Sequence, residues 1–290
     1  MDYIREFDIK LDKEYYYAGE QISGTVILDT IENFKLRSRF NLPESSLPCS
    51  FESKPCCIRY YIKVTVDIPY ASPPQGMKYF TIIGPHIDCM DEQYLKPIVN
   101  EDAKSTCCWC CKKSTVSLRC VLERSAYVCK ESLKLKATID NQSQEEVSLR
   151  VKLEQCCEFF IDRGVLGVSK DVKHLVFEYR GSQVKPNSRT KWDSSNSLVI
   201  PPMPTTLVGI CRLAQIYYVL TVSLDTEKDL DIVQLNFPIT IATVPFRIPN
   251  SKTTPTIKYE HAVSHVEGGQ YIGPEFLLGQ VYDGNDHNLR

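Results

Sequence analysis

The sequence predicts an all-β protein of two tandem immunoglobulin-like β-sandwich domains, the first of them incomplete, followed by a flexible C-terminal tail. Three observations support this fold class. Apolar and polar residues alternate along many short segments, turn-forming residues separate those segments, and two segments of the first half recur in the second half. Two domains also suit a chain of 290 residues, since compact domains usually hold about 100 to 200 residues each.

The predicted strands show the period-two alternation of strands that bury one face and expose the other. They lie at residues 22–28, 58–66, 133–139, 147–153, 175–179, 216–224 and 233–241. Glycine, proline, asparagine and aspartate bound them, for example at Gly19, Asp140-Asn141 and Pro201-Pro202. Many short strands with frequent turns are typical of a sandwich or a barrel.

An internal repeat relates the two halves of the chain. Residues 16–30 parallel residues 127–141 at an offset of 111, and residues 58–67 parallel residues 216–225 at an offset of 158. The first half is therefore shorter by 158 − 111 = 47 residues, or about four strands at one turn every 8–12 residues. We expect the missing segment between about Arg37 and Leu47; divergent loop length is the alternative explanation.

Composition narrows the functional classes. The 34 Lys and Arg are interspersed with 36 Asp and Glu and form no long basic block, which argues against nucleic-acid binding. The sequence shows neither a signal peptide nor an apolar stretch of about 20 residues, so we expect a cytosolic protein. Thirteen cysteines, an odd number, then indicate reduced thiols rather than a disulfide framework.

The sequence contains no motif of an enzyme or of a cofactor site. It has no nucleophile elbow, no phosphate-binding or dinucleotide-binding glycine loop, and no zinc-protease motif. We therefore expect a protein without catalytic residues and without a cofactor.

A cysteine cluster is the strongest chemical feature. Its thiols are Cys107, Cys108, Cys110 and Cys111, around Trp109. Two overlapping CxxC spacings suit zinc, but a structural zinc site generally needs four well-placed ligands. Lys112 and Lys113 favour a second interpretation, in which the thiols are redox-active or acylated beside a membrane. In the third interpretation, the segment links the two domains and its cysteines are buried as small apolar residues.

At these segments the chain resembles the arrestin superfamily, in particular the α-arrestins or arrestin domain-containing proteins. The resemblance covers about residues 3–249. It is carried, in order, by YYYAGEQISGTVIL, LPCSFESKPCCIRYYIKVTVDIP, CCWCC with VSLRCVLERSAYVCKESLKLKATIDN, IYYVLTVSL and ITIATVPFRIP. It implies an N-terminal arrestin-like sandwich at 1–104, shortened between about 37 and 47, a Cys-rich link at 105–113, a C-terminal sandwich at 114–250 and a tail at 251–290.

The resemblance implies a cytoplasmic adaptor in membrane-protein trafficking, endocytosis or ubiquitin-linked sorting, with peripheral association at the plasma membrane or endosomes. Its expected partners are membrane-protein cargo, held by sandwich loops or concave sheet faces, and trafficking machinery such as clathrin adaptors. Family members recruit WW-domain ubiquitin ligases through PPxY motifs, but this sequence has no PPxY motif. The alternatives are a thiol-based redox or zinc protein centred on CCWCC, and a dominant-negative, truncated splice form.

The predicted tail contains one candidate partner-binding segment. Leu277, Leu278 and Val281 lie in a stretch similar to an arrestin clathrin-binding box, although Val281 replaces the usual leucine. Tyr271 and Tyr282 flank it. The alternative interpretation is an apolar patch that folds back onto the second domain.

Overall fold

The computed structural model describes residues 6–29, 34–43, 47–66, 75–107, 113–162, 168–195, 197–227, 230–248, 257–262 and 271–276. Apart from one single-turn helix, the regular elements of these residues are all strands, as the sequence predicts. The chain divides into two compact units, Met1–His86 and Ile87–Arg290, called the first and second units below.

The first unit consists of short strands around a small core. Its strands are β1 (Glu6–Leu11), β2 (Tyr15–Tyr16), β3 (Gln21–Asp29), β4 (Phe34–Asn41), β5 (Phe51–Glu52), β6 (Cys57–Ile58), β7 (Tyr60–Thr65) and β8 (Gln75–Ile82). They form the sheets β1-β3-β4, β2-β8-β7 and β5-β6. Buried Tyr16, Ile22 and Ile82 make up the core, with leucines and aromatic residues packed around them.

The second unit is a larger sandwich. Its elements are α1 (Glu92–Leu95), β9 (Ile98–Cys107), β10 (Lys113–Leu122), β11 (Ala126–Tyr127), β12 (Leu135–Asn141), β13 (Val147–Asp162), β14 (Val168–Val184), β15 (Ser188–Asp193), β16 (Ala214–Asp225), β17 (Val233–Ile241), β18 (Ile257–Ala262) and β19 (Tyr271–Phe276). The sheets β15-β12-β10-β9 and β11-β17-β16-β13-β14 contact each other mainly between β9 and β17, and also through β10 with β16 and β17 and through β14 with β15.

Alternation along the strands places the core of the second unit. In β17, Val233, Leu235, Phe237, Ile239 and Ile241 are buried, and the residues between them are exposed or half-buried. The same alternation in β12 buries one face of the opposite sheet. Apolar faces of both sheets therefore meet in one core, as expected for a sandwich.

Strand pairing confirms the first part of the internal repeat. Leu11 pairs with Gly24 between β1 and β3, and Leu122 pairs with Leu135 between β10 and β12. The two residues of the second pair lie 111 positions after those of the first pair (122 − 11 and 135 − 24). β1 and β3 are thus the counterparts of β10 and β12.

The second part of the repeat is confirmed in the same way. Tyr60 pairs with Phe80 between β7 and β8, and Tyr218 pairs with Ile239 between β16 and β17. The offsets are 218 − 60 = 158 and 239 − 80 = 159. β7 and β8 are therefore the counterparts of β16 and β17.

The expected position of the length difference, between Arg37 and Leu47, is wrong. Arg37 pairs with Thr25, and the counterpart of Thr25, Lys136, pairs with Asp193. The offset is thus already 193 − 37 = 156 at Arg37, so the difference arises between β3 and β4. In the second unit this interval holds the long strands β13 and β14 rather than four short strands. The described part of the first unit has no counterpart of this hairpin.

The predicted domain boundaries stay predictions, and the described strands add the following observations. Residues 98–104, predicted to end the first domain, lie in strand β9, which pairs along its whole length with β10 of the second unit. Along the chain, the boundary between the two units lies between His86 and Ile87. Cys107 and Lys113, within the segment 105–113 that is expected to link two domains, pair with each other across β9 and β10, and residues 108–112 lie outside the described residues.

The segment at 251–290, expected as a flexible tail, contains regular structure. Strands β18 and β19 pair antiparallel, from Ile257 with Phe276 to Ala262 with Tyr271. Part of this segment thus forms a pair of antiparallel strands.

Candidate functional site

The candidate site is an open apolar cavity of the second unit, beside strands β16 and β17. Inward residues of β16, such as Leu220 and Val222, are completely buried in the sandwich core. On the opposite face of strand β16, Tyr217 and Val219 are only half-buried. The sheet therefore presents apolar side chains on both faces, which a strand needs only when both faces are covered or used.

The cavity has a volume of about 590 Å³. Its lining residues are Ile87, Tyr94, Thr206, Val208, Ile210, Tyr217, Tyr218, Val219, Pro238, Ile239 and Thr240. Val208 is 52% exposed, so the cavity opens to solvent. A concave, mainly apolar site of this size, with a few hydroxyl groups, suits several side chains of a peptide or a small apolar ligand.

Tyr217 is the polar anchor of this cavity. Its hydroxyl donates a hydrogen bond to Oε1 of Glu158 at 2.9 Å, and this bond, together with burial, raises the pKa of Tyr217 to about 12. The phenol therefore remains protonated and fixed by Glu158 over the physiological pH range. The hydroxyl thus fixes the orientation of the Tyr217 ring in the cavity and is not suited to proton transfer.

Two further tyrosines, Tyr218 and Tyr94, line the cavity. The Tyr218 hydroxyl donates to the Pro204 carbonyl at 2.5 Å and lies 3.2 Å from Nε2 of buried Gln155, which donates to it. Burial, followed by the charge of Asp91, raises the pKa of Tyr94. The Tyr218 ring is held by buried hydrogen bonds that resist rearrangement.

A buried charge cluster lies at the far end of the same sheet. Arg150 Nε lies 2.7 Å from Oδ2 of Asp225, and Arg150 Nη2 lies 2.7 Å from Oδ1 of Asp231. The backbone N–H of Asp231 donates to Asp225 at 2.9 Å. Arg150 and Asp225 are almost completely buried. The cluster ties the β16–β17 connection to β13, so its charges have a structural role.

A second buried ion pair joins Arg124 and Glu131 near strand β11. Oε2 of Glu131 accepts the backbone N–H of Val128 at 3.0 Å. The Arg124 guanidinium lies 4.2 Å from the centroid of the Tyr127 ring and 4.8 Å from that of Phe246. These contacts satisfy both charges inside the unit, which again indicates a structural role.

The cysteine cluster falls mostly outside the described residues. Cys107 ends β9 opposite Lys113, whereas Cys108, Cys110 and Cys111 lie outside the described residues. Within the described ranges, no three His, Cys, Asp or Glu side chains are grouped so that they could hold a metal ion. The zinc, redox and acylation predictions for the cluster stay predictions.

The candidate tail residues are likewise largely outside the described part of the chain. Tyr271 begins β19, opposite Ala262. Leu277, Leu278, Val281 and Tyr282 are not among the described residues. The clathrin-box interpretation therefore also stays a prediction.

Cargo binding is expected from the family resemblance at sandwich loops or concave sheet faces, but that expectation does not identify the cavity residues. A sequence signal was present in the nearly unbroken apolar run of 216–220, Ile-Tyr-Tyr-Val-Leu, where strict alternation would place polar residues at Tyr217 and Val219. Cavity residues such as Val208 and Pro238 come from other parts of the chain, and only folding places them beside this run.

None of the helical residues that the structure describes forms a stretch with the length and apolar character required to cross a bilayer.

Comparisons with known proteins agree with this architecture. The family model for the C-terminal domain of arrestin (or S-antigen) matches residues 112–246, and the model for the N-terminal domain matches residues 39–88. Arrestin domain-containing protein 4 of Homo sapiens is 26% identical over 243 residues, which are 84% of this chain and 55% of that protein. The thioredoxin-interacting protein of Mus musculus is 20% identical over 241 residues, covering 83% and 58% respectively. The chain thus spans less than two thirds of the length of these relatives.

Proposed function

The chain belongs to the arrestin family, in its α-arrestin branch, and on this premise we propose that it is a non-enzymatic adaptor in membrane-protein trafficking. In this role it binds membrane-protein cargo and acts in endocytosis or ubiquitin-linked sorting. Fold alone does not fix function, so the proposal depends on the site.

The solvent-open apolar cavity of the second unit carries the proposal. An adaptor needs a preformed surface that takes up a peptide without changing it chemically. The cavity offers apolar walls, and its anchoring phenol, Tyr217, is already engaged by Glu158. The buried charges of the same sheet are neutralised by each other, as in the pair of Arg150 and Asp225. This arrangement supports binding rather than catalysis.

A matched pair of surface variants tests the proposal. Val208 lines the cavity at 52% exposure, whereas Val168 lies on β14 outside the cavity at 55% exposure. Val208→Asp introduces a charge into the cavity, and Val168→Asp introduces the same charge elsewhere with equal solvent access. Both variants should fold, since surface substitutions usually change stability by less than about 0.5 kcal/mol.

Quantitative mass spectrometry of proteins crosslinked to the tagged chain in cells gives the measurement. The native chain and Val168→Asp should enrich a common set of integral membrane proteins, and Val208→Asp should lose most of that set. Enrichment of the same membrane proteins by Val208→Asp would show that the cavity is not the cargo site. Absence of membrane proteins from the native sample would contradict the trafficking role.

A further inference from the structure

Within the described part of the first unit, strand β7 lies at the edge of its sheet. In the sheet β2-β8-β7, strand β7 is the last strand and, among the described strands, pairs with β8 alone. No described strand pairs with the other edge of β7. Such an edge is a template for an added strand unless it is covered or blunted.

The second unit shows what covers the corresponding edge. Strand β16, the counterpart of β7, pairs with β17 on one side and with β13 on the other. Across the latter pair, Leu220 faces Leu153 and Val222 faces Val151, and all four are buried. An extended strand with alternating apolar residues therefore completes this sheet in one half of the same chain.

An apolar cleft lies beside the β7 edge in the first unit. Its volume is about 80 Å³, and its lining residues are Ile9, Leu11, Ile22, Gly24, Val26, Phe40, Ile62, Lys63 and Val64. Ile62 and Val64 are the counterparts of Leu220 and Val222 at the offset of 158. The cleft is thus on the side where β13 inserts its apolar side chains in the second unit. Phe40 is 54% exposed, which leaves the apolar surface open.

The charges of β7 and β8 indicate which kind of strand could pair with the edge of β7. Strands β7 and β8 carry Lys63 and Lys78, both exposed, and no carboxylate. The β7 strand of a second copy would bring a like set of charges to this edge, and like charges opposite each other destabilise a strand pair. A segment with an acidic residue facing Lys63 complements the edge instead.

We propose that the β7 edge binds an extended segment of a partner protein as an added antiparallel strand. Alternate apolar side chains of that segment enter the cleft, and a carboxylate lies opposite Lys63. This is recognition by strand addition, in which backbone hydrogen bonds supply affinity and side-chain pockets supply specificity. The inference concerns a surface of the first unit and does not depend on the cargo cavity of the second unit.

Peptides derived from this chain's own β13 provide defined probes. The parent peptide is residues 147–155, VSLRVKLEQ, in which Lys152 faces Thr221. Thr221 is the counterpart of Lys63 (221 − 158), so the parent peptide would place a lysine against Lys63. A second peptide with the change Lys152→Glu would place a carboxylate there. A third peptide equals the second but is N-methylated at alternate amides, which removes the hydrogen bonds of one edge.

Fluorescence anisotropy with the full chain measures binding of the labelled peptides. The Glu peptide should bind about two- to tenfold more tightly than the parent, a range that follows from cross-strand charge pairs in sheets. The protein variant Lys63→Glu should reverse this preference, since Lys63 is exposed and its replacement leaves the core intact. N-methylation should abolish binding. Hydrogen exchange should show new protection at residues 60–65.

Each contrary outcome decides against the proposal. Absence of binding by the parent and Glu peptides, or equal binding of the N-methylated peptide, would exclude strand addition. A preference that Lys63→Glu leaves unchanged, or protection only outside residues 60–65, would place the site elsewhere. Concentration-dependent dimerisation that protects β7 in the absence of peptide would assign the edge to a second copy of the chain.

Discussion

The two units repeat one turn, formed by a buried tyrosine and a glutamate four residues later, but they surround it differently. In the first unit Oε2 of Glu20 accepts the backbone N–H of Tyr17 at 3.1 Å. In the second unit Oε2 of Glu131 accepts that of Val128 at 3.0 Å. The hydrogen bond is the same at both sites, so the local sequence is sufficient to specify the turn.

The cation that accompanies each glutamate has a different environment. Nζ of Lys13 lies 3.4 Å from Oε1 of Glu20, and the two side chains are 54% and 35% exposed. Arg124 and Glu131 are 5% and 1% exposed, because Phe246, from the segment after β17, packs over the guanidinium. The same pattern is therefore a solvated ion pair in one unit and a buried ion pair in the other.

Strands β7 and β16 show the same contrast on a larger scale. Side chains of β7 alternate between half-buried and exposed. In β16 every residue of the core face is buried, and half of the residues on the opposite face are buried as well. The difference follows from β13, which covers β16 and has no counterpart in the described part of the first unit. Four experiments would break or sharpen this comparison.

The largest expected effect is in backbone hydrogen exchange. Amides of β16 (Ala214–Asp225) should exchange about a thousandfold more slowly than those of β7 (Tyr60–Thr65), because central strands open only in near-global unfolding and edge strands open locally. Exchange measured by mass spectrometry on the full chain tests this, with β17 and β8 as the neighbouring controls. Equal protection of β7 and β16 would mean that the β7 edge is covered.

The second experiment compares Glu131→Gln with Glu20→Gln. Glutamine keeps an oxygen for the turn hydrogen bond but removes the charge. Glu131→Gln leaves Arg124 buried and uncompensated, so it should lower the free energy of unfolding by about 3–5 kcal/mol. Glu20→Gln should cost about 0.2–1 kcal/mol, as for other solvent-exposed ion pairs.

Chemical denaturation of the full chain, monitored by hydrogen exchange in each unit separately, gives the change in the free energy of unfolding for both variants. The double variant Arg124→Met with Glu131→Gln should recover much of the loss, since an apolar replacement of both charges removes the unpaired cation. Similar losses for the two single variants would contradict the difference in burial.

The third experiment uses alkaline pH. Burial raises the pKa of Tyr127 to about 12 from an ordinary value of 10.0. The unfolded chain therefore releases this proton first, and the stability from neutral Tyr127 is complete below pH 10.0 and is lost as the pH rises toward about 12.

Thermal unfolding of the native chain and of Tyr127→Phe across this pH range isolates the effect. The variant should lose less stability between neutral and alkaline pH, by about 2–3 kcal/mol at most for a shift of this size. Tyr16→Phe is the matched variant in the first unit, where burial also raises the pKa of Tyr16. Parallel pH curves for the native chain and Tyr127→Phe would contradict the buried, neutral phenol.

The smallest expected effect concerns the turn backbone. Gly19 has a φ of 84°, and its counterpart Lys130 has a φ of 70°, so both lie in the left-handed region that favours glycine. Gly19→Ala should cost about 1 kcal/mol, and Lys130→Gly should gain up to about 1 kcal/mol, because only glycine adopts this conformation without strain. Opposite signs in thermal unfolding of the two variants would support the equivalence of the turns; a loss on Lys130→Gly would argue against it.

Local pattern was a good guide to strands and to the repeat. The alternation at 233–241 predicts β17, and the parallel of residues 16–30 with 127–141 is visible in the structure as the same turn hydrogen bond at Glu20 and at Glu131. The position of the length difference was less predictable, because the strand-like segment at Arg37 gives no sign of its partner. Only its pairing with Thr25 identifies β4 as the counterpart of β15.

The candidate site was predictable only as a type of surface. The apolar run at 216–220 could have indicated a strand covered on both faces, but Val208, Tyr94 and Pro238 reach it from distant parts of the chain. The cysteine cluster was conspicuous in sequence and suggested a link between domains. Pairing of β9 with β10 places its first cysteine, Cys107, opposite Lys113, which the sequence pattern did not indicate.

The sequence by itself determined the all-β class, the two-fold repeat and the geometry of its turns, because these depend on periodicity and on residues a few positions apart. The tertiary structure decided which strands have neighbours on both sides, which charges are buried and where a cavity opens. Those properties depend on contacts between residues far apart in the chain. The edge of β7, which pairs with no described strand, and the paired edge of β16 thus arise from related segments that differ in what folds against them.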